Sequence, residues 1–290
     1  MKIIFAILIL LTTSVFAQIS RGFVKEGLTV KSEILNKEVR YTIYLPFDYN
    51  SSNRFYPIVY LLHGYTDNDM CWLQFGEVNM IVDEAISSRE IPPMIIVTPD
   101  ADVSWYINNF DGTVMWEDFF IKEFIPAIEK EYRVRKEKRY RGIAGLSMGG
   151  YGALNFALKY PDMFSSTAPM SAAIYTDEQV KSYTQKRWND VNGVLFGKNL
   201  VGEDRITKHL KMNSALHFLD SLDLEKIRKV RFYFDCGDDD YLSIGNCKLH
   251  IKMNALKIKH EFRIRDGKHS WNYWRSGLVD ALKFIGKKFH

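Results

Sequence analysis

The sequence predicts an α/β protein built on a mostly parallel, doubly wound sheet with helices on both faces. Three observations carry this. Short, unbroken apolar runs such as Pro57-Ile58-Val59-Tyr60-Leu61-Leu62 and Met94-Ile95-Ile96-Val97-Thr98 have the length and the β-branched content of strands buried on both faces. From residue 57 onward such runs alternate with helix-length stretches, which is the pattern of parallel strands joined by crossovers. In Gly145-Leu146-Ser147-Met148-Gly149, a strand-like run passes through a tight turn into a helix-compatible run. With 290 residues, 47% of them hydrophobic and 26% charged, the chain suits one large globular domain.

The first segment, 1–17, reads as a cleavable targeting peptide. Lys2 is its positive start, Ile3 to Leu11 its apolar run, and Val15-Phe16-Ala17 offers small residues for cleavage before Gln18. Thr12, Thr13 and Ser14 interrupt the apolar run too early for a comfortable membrane span. The mature domain, 18–290, is therefore expected to be exported, periplasmic or extracellular, with no stable membrane insertion after cleavage.

Leu28–Leu35 and Val39–Leu45 read as a strand pair, the second alternating at Val39, Tyr41, Ile43 and Leu45, with a turn at Asn36-Lys37. The strand at 57–62 ends in His63-Gly64. Val78–Ser87 is a short amphipathic helix, 94–98 a second buried strand, and the loop to Gly112 is aromatic. Trp116–Tyr132 reads as a helix that Pro126 should kink. The elbow strand, Arg139–Ala144, and its helix follow, then a strand at 166–171. Val230–Cys236 and His260–Arg265 are strands, and Ile244–Lys257 and Trp271–Phe284 are helices. Between them Ala172–Leu224 is polar and holds Gly193, Gly197 and Gly202. It reads as an insertion over the sheet, a candidate cap or substrate wall.

The net charge of +4 is scattered apart from Arg133–Arg141, which reads as a solvated helix end and loop, so no nucleic-acid partner is expected. Three cysteines, Cys71, Cys236 and Cys247, make no complete disulfide framework. Cys236 reads as a buried small hydrophobe, with a Cys236–Cys247 bridge the alternative. No metal-ligand spacing occurs, and no metal or organic cofactor is expected.

A serine hydroxyl is a weak nucleophile near neutral pH. It needs a base within hydrogen-bond reach and an acid to orient that base. Ser147 sits on a turn whose small glycines permit a strained backbone, above a helix N-terminus that favours negative charge. Of the seven histidines, His269 lies in a loop between a strand and a helix, the place for the base. For the acid, strand 230–236 runs into Asp238-Asp239-Asp240. Asp240 is preferred as the deepest in the loop, just before Tyr241-Leu242, with Asp239 and Asp238 as alternatives. The oxyanion of a tetrahedral intermediate needs preorganised donors, for which the Met148 and Tyr65 N–H groups are the candidates. His63 precedes the serine and reads as structural.

These residues, with Leu61-Leu62-His63-Gly64 and Trp72, Ser104-Trp105-Tyr106, Asp235-Cys236-Gly237 and Gly267-Lys268-His269 followed by Trp271 and Trp274, resemble the putative-esterase family of α/β hydrolases. That family includes feruloyl and acetylxylan esterases, tributyrin-type carboxylesterases, S-formylglutathione hydrolases and mycolyltransferases. The resemblance runs from about Leu28 to the C-terminus. It implies a serine carboxylic-ester hydrolase with Ser147, His269 and Asp240 as triad and Tyr65 and Met148 as oxyanion donors. Export disfavours a glutathione thioester and suits feruloyl or acetyl esters of plant cell-wall polysaccharide. Trp72, Trp105, Tyr106 and Trp188 are then the aromatic substrate contacts, unless they are core. A short-chain aliphatic esterase, a sugar acyltransferase on the same triad, and a non-catalytic binding protein on this fold are the alternatives. No triad position departs from the family pattern; the 172–224 stretch matches none of its motifs.

Overall fold

The computed structural model describes residues 21–289; the expected targeting segment lies outside the described residues. Eight strands form one sheet in the order β1-β2-β4-β3-β5-β6-β7-β8. β1 (Phe23–Ser32) and β2 (Lys37–Leu45) are an antiparallel hairpin, and β2 pairs antiparallel with β4 (Ile95–Pro99). β3 (Ile58–Leu62), β4, β5 (Arg141–Leu146), β6 (Ser166–Met170), β7 (Arg231–Gly237) and β8 (His260–Arg265) are parallel. The sheet is the mostly parallel, doubly wound α/β architecture that the alternating runs predicted.

β3, β4 and β5 are buried along their whole length, because each strand face meets a helix layer. Ile58, Tyr60 and Leu62 point into one core with Phe120, Phe124 and Leu154, while Val59 and Leu61 point into the other with Val82, Leu278 and Leu282. The period of two in the strand thus feeds two cores at once. The helix Met148–Lys159 is buried from Met148 to Leu158, so its run carries almost no polar face. The helices Val78–Ser87 and Trp271–Gly286 cover the opposite side, with Val82 and Leu278 in that core.

Local differences from the expected elements have local causes. β1 stops at Ser32, whose hydroxyl donates to Glu123 Oε2 (2.5 Å) and accepts from Leu35 N–H, and the turn closes with Asn36 at φ +50°. The helix expected over 116–132 starts as Trp116–Phe119, widens into a π turn at Phe120–Phe124 and resumes as Ile125–Glu131. Pro126 has no N–H for the ladder, and Ile125 N–H bonds to Phe120 C=O instead of one turn back. The segment between β6 and β7 is a series of short helices, among them Asp177–Ser182, Lys208–Asn213 and Ala215–Phe218. The fully buried Arg205 guanidinium ties this segment together by donating to the carbonyls of Val180, Lys181, Tyr183 and Leu200. Cys71, Cys236 and Cys247 are all free thiols, so the alternative of a Cys236–Cys247 bridge does not hold.

Candidate active site

Parallel strands present their C-terminal ends to one edge of the sheet, and crossovers that leave neighbouring strands toward opposite faces open a crevice there. β3 and β5 are such neighbours, for β4 lies beyond β3 and β6 beyond β5. The turn at Ser147 follows β5 and the turn at Tyr65 follows β3. Ser147 takes φ +53° and ψ −116°, a strained conformation for a residue with a side chain. It is held by Ser147 N–H donating to Met170 C=O (3.0 Å) and by Ser147 C=O accepting from Tyr151 and Ala173 N–H (2.9 and 3.0 Å). The flanking glycines are sterically required. A Cβ on Gly145 would come within 2.6 Å of the Gly149 backbone, and one on Gly149 within 2.4 Å of Leu62 C=O.

His269 Nε2 lies 3.0 Å from Ser147 Oγ, and His269 Nδ1 lies 2.9 Å from Asp240 Oδ2. The three side chains, 122 and 29 residues apart in sequence, form one hydrogen-bonded relay. Nδ1–H donates to the carboxylate, which leaves Nε2 free to accept the serine proton. Asp240 Oδ1 accepts from Leu242 N–H (2.9 Å), and its side chain is fully buried. Burial pushes this carboxyl up, but the hydrogen bonds from His269 and Leu242 N–H outweigh it and hold the group below its ordinary value. The alternatives Asp238 and Asp239 are exposed. Asp238 Oδ1 accepts from Gly267 N–H (3.0 Å), which ties the loop after β7 to the histidine loop.

The imidazole is clamped between two aromatic rings. Tyr241 lies at 4.9 Å, tilted by 49°, and Trp274 at 4.8 Å, edge-on at 89°. Tyr241 is 58% exposed, so it covers the histidine and does not bury the carboxylate. Leu242 supplies the burial and the N–H. Tyr241 adjoins Asp240 in the chain, but nothing linear signals that its ring turns toward a residue 28 positions away.

The turn after β3 that carries Tyr65 approaches Ser147, a Cβ on Gly64 falling 3.8 Å from Ser147 Cβ, and Met148 follows the serine directly. Met148 opens a helix, so its N–H has no intrahelical acceptor. Among the described residues neither N–H donates to a protein acceptor. His63 braces the β3 turn through both ring nitrogens. Its Nδ1–H donates to Gly64 C=O (2.7 Å) and its Nε2 accepts from Ala101 N–H (2.8 Å), which requires the neutral ring. Burial lowers the pKa of this imidazole, in keeping with that tautomer.

Three of the four expected aromatic contacts are corrected. Trp72 is fully buried and donates Nε1–H to Leu62 C=O (3.0 Å). Tyr106 is buried and its hydroxyl donates to His63 C=O (2.9 Å). Trp188 is fully buried, donates Nε1–H to Gly197 C=O (2.9 Å) and stacks under Arg205. None offers a face to a ligand: the first two brace the β3 turn, and the third is the core of the 172–224 segment. Trp105 remains. Its ring lies 6.3 Å from Tyr65 and 5.4 Å from Tyr151, and it walls a small cavity of about 40 Å³. Ala173 and Tyr151, both bonded to Ser147 C=O, line the same cavity. Its other wall comes from the 172–224 segment, whose residues showed no motif in the sequence.

A family model described as Putative esterase matches residues 32–285. Esterase Rv1288 of Mycobacterium tuberculosis is 39% identical over 245 residues, covering 78% of this chain and 51% of that protein. An endo-1,4-beta-xylanase/feruloyl esterase of Xylanibacter ruminicola is 31% identical over 170 residues, 56% of this chain and 23% of that protein. The chain thus spans about half the length, or less, of these curated relatives. A solved ferulic acid esterase is similar with a TM-score of 0.80 at 32% identity, over 93% of this chain and 99% of that one.

Proposed function

The chain belongs to the Putative esterase family, and on that premise we propose that it is an exported serine carboxylic-ester hydrolase acting on feruloyl or acetyl esters of plant cell-wall polysaccharide. The observation that carries the reaction is the unbroken relay from Ser147 Oγ through His269 to Asp240. His269 Nε2 takes the serine proton as Oγ attacks the ester carbonyl. The oxyanion that forms lies between the N–H groups of Tyr65 and Met148, which need no reorganisation to receive it. His269 then gives the proton to the leaving alcohol, and the acyl-enzyme remains. A water, deprotonated by the same nitrogen, attacks the acyl carbonyl, and Ser147 leaves with the proton. Asp240 holds the tautomer and stabilises the imidazolium in both halves.

Export rests on Lys2, the apolar run Ile3–Leu11 and the cleavage pattern Val15-Phe16-Ala17. The similar ferulic acid esterase supports the hydroxycinnamoyl class. In this reading the 172–224 segment is the cap that forms the far wall of the substrate site within a single domain, 18–290.

The reading is tested by labelling with a fluorophosphonate probe and by comparing ferulate and acetate release from arabinoxylan fragments. Labelling of the wild type, absent in Ser147→Ala, with ferulate release dominating, is the expected result. Dominant acetate release would move the aromatics to the sugar or the core. Absence of labelling in folded protein would sink the enzyme itself.

A further inference from the structure

The basic run 133–141 takes no part in the proposed reaction. It lies at the N-terminal edge of the parallel strands, opposite the crevice at Ser147. Lys138 and Arg139 precede β5, Lys229 precedes β7, and Lys287 and Lys288 follow the final helix. With Ser165, just before β6, these five cations line one cleft of about 540 Å³, and among the described residues no carboxylate lines it. Arg139 Nε–H donates to Lys288 C=O (3.1 Å), which draws the C-terminal tail against the entry to β5. Beside it a second cleft of about 480 Å³ holds Arg54, Arg135 and Phe55, the last 58% exposed. The two clefts meet at Tyr140, whose ring carries Arg135 at 3.9 Å and Arg139 at 5.6 Å.

Most of these charges are unanswered. Arg54 pairs with Asp48 (3.0 Å), and Lys287 reaches Glu261 only at 4.0 Å. Among the described residues Arg135, Lys138, Arg139, Lys229 and Lys288 make no ion pair. Asp162, the carboxylate that acts on Lys138, is already paired with Lys226 (3.0 Å). Burial lowers the Lys138 pKa, and the charges of Lys229 and Lys288 push it the same way. The seven cations of the two clefts outnumber the net charge of +4 carried by the whole chain. Like charges held together repel, and that repulsion lifts when an anion binds among them.

We propose that this basic edge is a non-catalytic binding site for a uronate-bearing polysaccharide. The choice of partner rests on the proposed reading of an exported esterase of plant cell-wall polysaccharide. The form of the site selects an extended polyanion. Arg135 N–H donates to Tyr56 C=O (2.8 Å) at the entry to β3, and Lys229 stands at the entry to β7, three strand spacings away in the sheet order, roughly 14 Å. A compact anion meets only some of these cations, whereas carboxylates repeated along a chain meet them in succession. Lysine ammoniums suit such carboxylates as point charges that need no fixed fork geometry. The cations line a concavity, which a polymer strand can enter and a flat bilayer cannot. A chain held there leaves the crevice at Ser147 open on the opposite edge.

The test is affinity electrophoresis in gels holding polygalacturonate or de-esterified, neutral arabinoxylan. Retardation by polygalacturonate alone is the expected result, and it should fade in about 0.5 M salt. Combining Lys138→Gln, Lys229→Gln and Lys288→Gln should weaken the affinity about tenfold and leave hydrolysis of p-nitrophenyl acetate unchanged. A second variant carries Gln at Lys25, Lys211 and Lys248, exposed lysines that do not line the cleft. It lowers the charge equally and should bind as the wild type does. Equal loss in both variants would assign the binding to net charge and overturn the inference. So would the absence of retardation, and so would capture by phosphatidylglycerol vesicles with none by polygalacturonate. The readout is binding and stands apart from the ester reaction. Retardation of a protein that releases neither ferulate nor acetate would sink the proposed function and uphold the binding site.

Discussion

Asp235 and Asp240 lie five residues apart at the end of β7, both with fully buried side chains, and their environments push them in opposite directions. At Asp235 burial dominates and the carboxyl is raised to about 6, despite Arg265 at 3.2 Å and the Tyr233 hydroxyl at 3.0 Å. Among the described residues its Oδ1 has no partner. At Asp240 both oxygens are occupied, one by His269 and one by Leu242 N–H, and the carboxyl is lowered. The difference teaches that burial alone does not decide the charge of a carboxylate. A donor on each oxygen keeps Asp240 ionised, as a partner of an imidazolium must be, whereas the half-satisfied Asp235 sits in the framework. Through Arg265, which also stacks on Tyr273, Asp235 joins β7 and β8 to the final helix.

The largest effect should separate the two in catalysis. Asp240→Asn is expected to lower kcat by about 10⁴, because the imidazole loses the acceptor that fixes its tautomer. Asp235→Asn should cost less than about tenfold. Steady-state rates on p-nitrophenyl acetate check both, and a collapse of kcat in Asp235→Asn alone would reverse the assignment. Next in size, Arg265→Met leaves the Asp235 carboxylate buried without its cation. It should destabilise the protein by about 3 kcal/mol at pH 7 and by less at pH 5, where Asp235 is protonated; urea unfolding at the two pH values reads the difference.

Smaller effects sharpen the comparison through their signs. Between the unfolded value near 3.8 and the folded value of about 6, native Asp235 holds a proton that the unfolded chain has lost. Stability from this group therefore falls as pH rises across that window, by up to about 3 kcal/mol. In Asp235→Asn the fall should vanish, so the wild type loses ground to the variant between pH 4 and pH 7. Asp240 has the opposite sign. Its contribution is full above the ordinary carboxylate range and fades as pH falls through its folded value. The gap between wild type and Asp240→Asn should thus narrow on acidification, in unfolding curves at pH 5, 4 and 3. Gaps that move together in the two variants would show that the environments do not differ.

Much of the sheet was legible because its strands obey local rules. β3, β4, β5 and β7 are near-continuous apolar runs, and burial on two faces leaves no other composition available. β8 was located to the residue although it is only half-buried, and Asp266-Gly267 marks its C-terminal end. The elbow was legible because Gly145 and Gly149 are set by contacts that admit no Cβ. The aromatic substrate contacts were not. Trp72, Tyr106 and Trp188 carry the same composition whether they face a ligand or brace a turn, and the choice depends on which carbonyl their polar atom meets.

By itself, the sequence determined the residue types of the relay, their chain order and the strand-loop positions they occupy, because each follows from short-range chemistry: a turn that needs glycine, a loop that starts after a buried strand, a helix that begins with free N–H groups. Only the tertiary structure decided which of three neighbouring carboxylates turns inward, which rings clamp His269, and which side chains of the 172–224 segment wall the small cavity beside Trp105. Those choices are settled by contacts between segments far apart in the chain, where the energy lies in donors, acceptors and packed faces that no local pattern records.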